Sequence, residues 1–99
     1  MQANPNTRML TQRVELKQQI ANGGDWVVSL SDILSGTGIS EKNVLIVYCE
    51  GARPEVSWTE VQPITFYNST NNSWGIHNNN GTGGVVVATF IIVYGNNFI

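Results

Sequence analysis

Apolar and polar side chains alternate with a period of two over the first part of the chain, which is the repeat of a strand half buried against a core. In residues 8–20 the apolar positions are Leu10, Val14, Leu16 and Ile20. A helix is the alternative, because Gln, Glu, Lys and Arg form helices well and the Asn-Gly-Gly sequence at 22–24 would end one. On a helical wheel Arg13 and Lys17 fall within the apolar arc, so the pattern favours the strand.

Residues 25–30 alternate in the same way and predict a second strand. The intervening residues 21–24 tolerate the backbone of a tight turn, so the two strands are predicted to form a hairpin. Residues 31–34 follow as a short helical turn, because Ser and Asp side chains accept hydrogen bonds from its free backbone N–H groups.

Residues 44–49 form a continuous run of apolar, largely β-branched side chains. Such a run predicts a central strand that is buried on both faces. Further strands are predicted at residues 56–59, 64–67, 73–77 and 85–94, separated by Pro63 and by Asn-rich loops.

The predicted elements are about seven to eight short strands with one weak helix signal, without an internal repeat or an interdomain linker. This pattern is typical of an all-β fold, an antiparallel β-sandwich or jelly roll. A single domain is expected to cover residues 1–99, because that length is common for one small domain with one core.

The composition excludes several classes of function but says less about the fold. Charged residues make up 12% of the chain and the formal net charge is -2, with five scattered basic residues, which argues against nucleic-acid binding. No apolar stretch approaches the roughly 18–20 residues of a membrane span, and the N-terminus lacks the features of an export signal. We therefore expect no membrane insertion.

Cys49 is the only cysteine, so no disulfide forms within the chain, and its apolar surroundings predict a buried, inert thiol.

The charge is confined to the first part of the sequence. Glu60 is the last charged side chain, and His77 is the only titratable imidazole in residues 61–99. Exposed strand edges without charge promote association, because charged edge residues are a common protection against it. The uncharged half is therefore expected to be covered by another subunit or a partner.

Residues suited to catalysis are sparse. His77 is the only histidine, and Glu55 and Glu60 would point to opposite faces of a strand, so no acid–base pair is formed. The sequence also lacks the His and Cys clusters of transition-metal sites and the alternating Asp residues of calcium loops. We expect neither an enzyme nor a cofactor or metal site.

Aromatic and amide side chains are better candidates for a binding site. Aromatic rings can stack on a sugar or anchor a protein interface, and Asn side chains supply paired donors and acceptors. Trp26 is predicted to pack in the core, whereas core and surface remain open for two other tryptophans, Trp58 and Trp74. The candidate contacts for a partner or a glycan are Trp58, Tyr67, Trp74, His77, Asn78, Asn79 and Asn80.

The C-terminal third combines a strand that ends in an Asn run, at residues 74–81, with a long apolar strand at 85–94. Together with the opening segments 14–20 and 26–30, this resembles the small β-sandwich modules of tailed-bacteriophage virions, such as capsid decoration, head-fibre and fibre-head proteins. A long shaft usually precedes a fibre head, and here the first strand begins within a few residues of Met1. The resemblance therefore favours a stand-alone decoration, head-fibre or adaptor protein.

The resemblance implies a non-enzymatic virion structural protein that stabilises the capsid or attaches to the host. Its partners would be itself, as a homo-oligomer with a trimer favoured, and other virion proteins, with a host surface glycan as a further candidate. Its location would be the virion, assembled in the host cytoplasm. The alternative from the residues alone is a carbohydrate-binding β-sandwich module.

Overall fold

The described part of the chain is all-β apart from one short helix. The computed structural model describes residues 3–56, 63–79 and 83–98. Within these residues it has six strands: β1 Ala3–Ile20, β2 Asp25–Ser29, β3 Val44–Pro54, β4 Ile64–Asn68, β5 Ser73–His77 and β6 Gly84–Phe98. The helix α1, Leu30–Leu34, lies between β2 and β3, and a single 3-10 turn, Glu41–Asn43, precedes β3.

The strands form two antiparallel three-stranded sheets. The large sheet has the order β1-β6-β3, and the small sheet has the order β2-β5-β4. β1 pairs with β6 without interruption from Arg8 opposite Asn96 to Ile20 opposite Gly84. The strand predicted at 8–20 is therefore confirmed, and the helical alternative is wrong.

The core lies between the inner faces of the two sheets. Every second residue of β6 contributes to it, with partners from β1, β2, α1 and β5: the buried cluster is Ile20, Val28, Ile33, Trp74, Ile76, Val86, Ala88, Phe90 and Ile92. The rings of Trp74 and Phe90 meet edge to face with centroids 5.7 Å apart, which joins the small sheet to the large one. Trp26 packs against this cluster, as predicted.

The short helix predicted at residues 31–34 is confirmed, and Asp32 stabilises it as expected, but the capping serine is Ser29 and not Ser31. The Ser29 hydroxyl accepts a hydrogen bond from the Asp32 N–H at 3.2 Å, and the Asp32 carboxylate accepts one from the Ser29 N–H at 2.9 Å. This reciprocal capping box satisfies two backbone donors at the start of α1. Ile33 is thereby held in the core.

The predicted hairpin of the first two strands is wrong. β1 and β2 belong to different sheets, because β1 pairs with β6 and β2 pairs with β5. The turn at residues 21–24 instead carries the chain from one sheet to the other. Gly23 has a φ of 76°, which glycine adopts without a steric cost, and its N–H donates to the Asn78 carbonyl at 2.8 Å.

The prediction of a central strand at residues 44–49 is also wrong. β3 is an edge strand of the large sheet and pairs only with β6 among the described residues. The central position belongs to β6, whose neighbours are β1 and β3. An apolar run identifies a strand that must be covered, but it does not say whether the cover comes from the same chain.

The observed strand count is lower than the seven to eight predicted. The strands expected at 64–67, 73–77 and 85–94 are confirmed as β4, β5 and β6. The strand predicted at 56–59 falls largely on residues 57–62, which lie outside the described residues. The all-β class is confirmed, in the form of two three-stranded sheets.

The small sheet has one close contact on its outer face. Gly75 of β5 stands directly opposite Phe66 of β4, and the Phe66 ring lies over the position that a Cβ of residue 75 would occupy. Residue 75 is therefore restricted to glycine as long as the Phe66 ring stays where it is.

We expect Gly75→Ala to lower the free energy of unfolding by about 1–3 kcal/mol, because the new methyl group would displace the Phe66 ring. In a Phe66→Ala background the same substitution should cost much less, since the two residues are in contact. Urea denaturation of the double-mutant cycle measures this coupling. Gly83→Ala is the control, since a Cβ there meets its neighbours at ordinary distances of 3.5 Å or more. Additive losses for residues 66 and 75 would contradict the contact.

Candidate functional site

The described part of the chain has an open cleft between the free edges of the two sheets, where β3 faces β4. The cleft has a volume of about 350 Å³. β3 contributes Val47, Tyr48 and Cys49, and the small sheet contributes the other lining residues: Thr65, Phe66, Tyr67 and Trp74. Its walls are largely apolar and aromatic, which is the usual character of a binding surface.

A second depression of about 410 Å³ continues the cleft along β3. The two share Val47 and Tyr67, and the second extends over Leu45 and Ile46 to Glu41 and Asn72. We call the combined region the open side, and define its exposed apolar residues as Leu45, Ile46, Tyr48, Phe66 and Tyr67, which line one or both depressions.

Large exposed apolar side chains are concentrated on this open side. The described residues expose ten such side chains, and six of them belong to β3 and β4. Phe66 and Tyr67 retain 51% and 53% of their surface in contact with solvent. Single exposed apolar residues are ordinary on a protein surface, but a cluster of them is typical of a contact site.

Tyr67 is held in a fixed position at the centre of the open side. Its ring meets that of Trp74 with centroids 5.1 Å apart and planes inclined by 48°. Its hydroxyl donates a hydrogen bond to Asn72 Oδ1 at 2.7 Å. Asn72 has a φ of 51°, a conformation that Asn tolerates better than most residues. The phenol is therefore oriented before any partner binds.

The Asn-rich loop between β4 and β5 is a turn stabilised by its own side chains. Asn68 Oδ1 accepts from the Thr70 N–H at 3.0 Å, and the Ser73 hydroxyl donates to Asn71 Oδ1 at 2.6 Å. These local bonds are the reason why Asn and Ser favour turns. The side chains of Asn68, Asn71 and Asn72 thus all accept hydrogen bonds within the turn.

Ion pairs span the outer face of the large sheet, on which Ile46 and Tyr48 of the open side also lie. Lys17 Nζ lies 2.7 Å from Glu55 Oε2, and Arg13 lies 3.4 Å from Glu50. Both pairs connect β1 to the β3 side of the sheet across β6, and Val87 between them is 1% exposed. These exposed pairs contribute little stability, but their charges keep that face hydrated.

Two of the candidate contact residues meet in the cleft, and they differ in exposure. Tyr67 is exposed, whereas Trp74 is only 4% exposed and belongs to the core. The Trp74 indole lines the cleft, but it is almost wholly covered and lies against the rings of Tyr67 and Phe90. Trp58 and Asn80 lie outside the described residues.

The other candidates lie away from the cleft. His77 is on the outer face of the small sheet, with Nδ1 2.7 Å from Asp25 Oδ1. Asn78 is completely buried and donates from Nδ2 to the Ile20 carbonyl at 2.9 Å, so its side chain ties the end of β1 to the residue that follows β5. Asn79 is half-buried, and its Oδ1 has no hydrogen-bond partner in the described structure.

Sequence reasoning missed the contribution of β3 to this surface. Ile46 and Tyr48 were assigned to a buried central strand, yet 57% and 48% of their surface is exposed at a sheet edge. Phe66 was assigned to a strand without a role. The sequence feature that pointed to this surface was the absence of charged side chains in Ile64–Asn68, which indicated a strand edge prone to association. It did not show which strand lies next to that edge.

The cleft offers little for acid–base or metal chemistry. Burial raises the pKa of the Cys49 thiol above its ordinary value, although a backbone hydrogen bond from Gly51 opposes this, so the reactive thiolate is disfavoured. Within the described ranges, no three His, Cys, Asp or Glu residues lie close enough together to hold a metal ion. No helix in those ranges is long and apolar enough to cross a membrane.

Comparison with known proteins found no similar protein. The sequence matches no protein-family model, and the searches of curated proteins and of solved structures gave no match either.

Trp74→Ala and Tyr67→Ala should separate the core from the open side. We expect Trp74→Ala to lower the free energy of unfolding by about 3–5 kcal/mol, because it removes a buried aromatic side chain. Tyr67→Ala should cost about 1 kcal/mol, since it removes a half-exposed ring and one exposed hydrogen bond. Urea denaturation measures both values. Equal losses, or a Trp74→Ala protein as stable as the wild type, would contradict the core position of the indole.

Proposed function

We propose that this chain is a non-enzymatic structural protein that acts by binding other protein surfaces through its open side. The setting that the sequence resemblance suggests is a virion, where the chain would act as a capsid decoration, head-fibre or fibre-type attachment protein. In that setting it would assemble in the host cytoplasm, as a homo-oligomer that also contacts other virion proteins.

The observation that carries this proposal is the cluster of exposed apolar side chains on the open side. A half-exposed aromatic ring presents roughly 100 Å² to solvent, so the five residues together present on the order of 500 Å². This surface wraps around the β3 and β4 side of the molecule, since Ile46 and Tyr48 lie on the outer face of the large sheet and Phe66 on that of the small sheet. The largest apolar patch of a typical monomer is about 300–600 Å², and such a patch is often functional. A partner that covers the open side would remove this surface from water and gain the corresponding hydrophobic free energy.

The composition of β3 supports the same conclusion. Its first residues, Val-Leu-Ile-Val-Tyr-Cys, have the character of a strand covered on both faces, yet the strand lies at a sheet edge. Leu45, Ile46 and Tyr48 are exposed there. Covering by a partner reconciles this composition with that position.

The order of the strands supports a finer description of the fold. Orders β1-β6-β3 and β2-β5-β4 arise when the first half of the chain pairs with the second and the resulting ribbon is rolled into two layers. We infer a shortened jelly roll, a β-sandwich with six described strands in place of seven or eight. Jelly rolls occur among viral capsid proteins and among lectins, so this analogy fits both proposed settings.

A carbohydrate-binding module remains the second candidate, on one observation. Tyr67 presents an exposed, fixed ring beside the amide of Asn72, which is a common arrangement for sugar contacts. The burial of the Trp74 indole removes the larger ring that the sequence had suggested for stacking. Of the aromatic contacts predicted from the sequence, Tyr67 is therefore the one that the described structure leaves exposed for a sugar.

Substitution of the exposed β3 residues tests the proposal. We expect light scattering to show that the wild-type protein self-associates as its concentration rises. The dissociation constant of the double variant Ile46→Thr/Tyr48→Thr should be at least about tenfold higher than that of the wild type. The physical reason is the loss of apolar contact area, while threonine keeps the preference for a strand. Met9→Thr, which changes an exposed apolar residue of β1, is the matched control and should behave like the wild type.

A wild-type protein that stays monomeric at all concentrations would count against self-assembly. A glycan array then decides for the alternative: binding that is lost in Tyr67→Ala and kept in Met9→Thr would establish a carbohydrate-binding module. Purified particles that contain the chain, identified by mass spectrometry, would support the virion setting.

A further inference from the structure

We propose that β4 is the strand through which two copies of this chain pair. The two β4 strands would run antiparallel about a two-fold axis, so that two small sheets become one six-stranded sheet. This inference rests on the proposed function, because it names the part of the open side that a second copy occupies.

The protection of the sheet edges distinguishes β4 from the other described strands. β1 carries charges along its length, including Arg13 and Lys17, and charge discourages the addition of another strand. β3 has register irregularities beside Leu45 and Glu50, which interrupt the regular spacing that a new strand needs. β2 begins with a charged residue, Asp25, and continues directly into α1.

β4 has none of these protections. Its residues Ile64–Asn68 pair with β5 in an unbroken register and include no charged residue. All five are exposed. Isoleucine, threonine, phenylalanine and tyrosine favour extended structure, so the strand is preformed for pairing along its free edge.

The uncharged half of the sequence separates into a part that its own chain covers and a part that it does not. β6 lacks charge because it is the central strand, with β1 and β3 on either side and the core beneath it. The expectation that a partner covers this whole half is therefore unnecessary for β6. β4 is equally uncharged and remains exposed, so the need for a partner is concentrated there.

A second copy is a suitable occupant because β4 is complementary to itself. In an antiparallel pair centred on Phe66, this residue meets its own copy, Thr65 meets Tyr67 and Ile64 meets Asn68. Aromatic and β-branched pairs of this kind stabilise antiparallel strands. A two-fold contact brings each side chain close to its symmetry copy, so a charged strand would repel itself and an uncharged one does not.

The outer face of the small sheet would become continuous across this contact. Val27, Gly75 and Phe66 form one row across β2, β5 and β4, and Val27 and Phe66 are both exposed. The row would run through Phe66 of both copies to the second Val27. A contact made by a five-residue strand and its apolar neighbours is small beside the roughly 1,200–2,000 Å² of standard specific interfaces, so the dimer should depend on concentration.

A lysine on β4 tests the pairing directly. Thr65→Lys places a charge on the free edge, where Thr65 and its copy would be diagonal neighbours about 7–8 Å apart. We expect it to raise the dissociation constant of the dimer at least about tenfold in sedimentation velocity over a dilution series. Thr11→Lys, which makes the same change at an exposed position of β1, is the matched control and should leave the constant unchanged. Thermal unfolding checks that both variants fold.

Cross-linking gives an independent readout of the same geometry. In a Cys49→Ser background, Thr65→Cys should be joined into a covalent dimer by a short bismaleimide, and Thr11→Cys should not. The expected outcome is a cross-linked dimer for Thr65→Cys, no cross-linked dimer for Thr11→Cys, and a dimer that Thr65→Lys weakens.

The inference is overturned if Thr65→Lys and Thr11→Lys have equal effects, if the cross-link forms equally at both positions, or if the assembly is a trimer that Thr65→Lys leaves intact. Ile46→Thr/Tyr48→Thr distinguishes this failure from that of the proposed function. If that double variant weakens association and Thr65→Lys does not, the open side still binds but β4 is not the pairing strand. If the wild type does not associate at all, both proposals of self-assembly fail.

Discussion

The antiparallel pairing of the first strand with the last is the interaction on which the rest of the structure depends. β6 becomes the central strand of the large sheet only because β1 occupies one of its edges and β3 the other. Its inner side chains, among them Phe90 and Ile92, then form the floor on which the small sheet packs. This pairing joins residues from opposite ends of the described chain, so folding must wait for a contact of high sequence separation.

The open side follows from this arrangement. The turn at residues 21–24 connects the two sheets at the β1 and β2 side, while β3 and β4 on the opposite side leave a cleft between their edges. Charge protects the outer face of the large sheet, and register irregularities protect β3. The uncharged β4 and the apolar residues of β3 remain exposed in the described part of the chain, and this is the surface that we propose for a protein partner.

Periodicity in the sequence was sufficient to find most strands, but not to find their neighbours. The alternation at 8–20 and the helix signal of α1 act locally, and the strand and the short helix are confirmed, although Ser29 and not Ser31 caps the helix. The order of the strands depends on long-range pairing, which alternation does not encode, and so the hairpin and the central position of residues 44–49 were wrong. The candidate site was predicted only in part, because the burial of a side chain also depends on long-range pairing. Tyr67 follows from composition, whereas burial separates Asn78 and Trp74 from the exposed contacts only after folding.

Hydrogen–deuterium exchange across a dilution series tests most directly whether the open side is the contact surface. The account predicts that the backbone amides of Ile64–Asn68 that point to the free edge, which are every second one, become more protected as concentration rises, since a second strand would accept their hydrogen bonds. The amides of β1 at the opposite edge should exchange at the same rate throughout. Protection that grows along β1 instead, or exchange in β4 that does not depend on concentration while the protein associates, would contradict it.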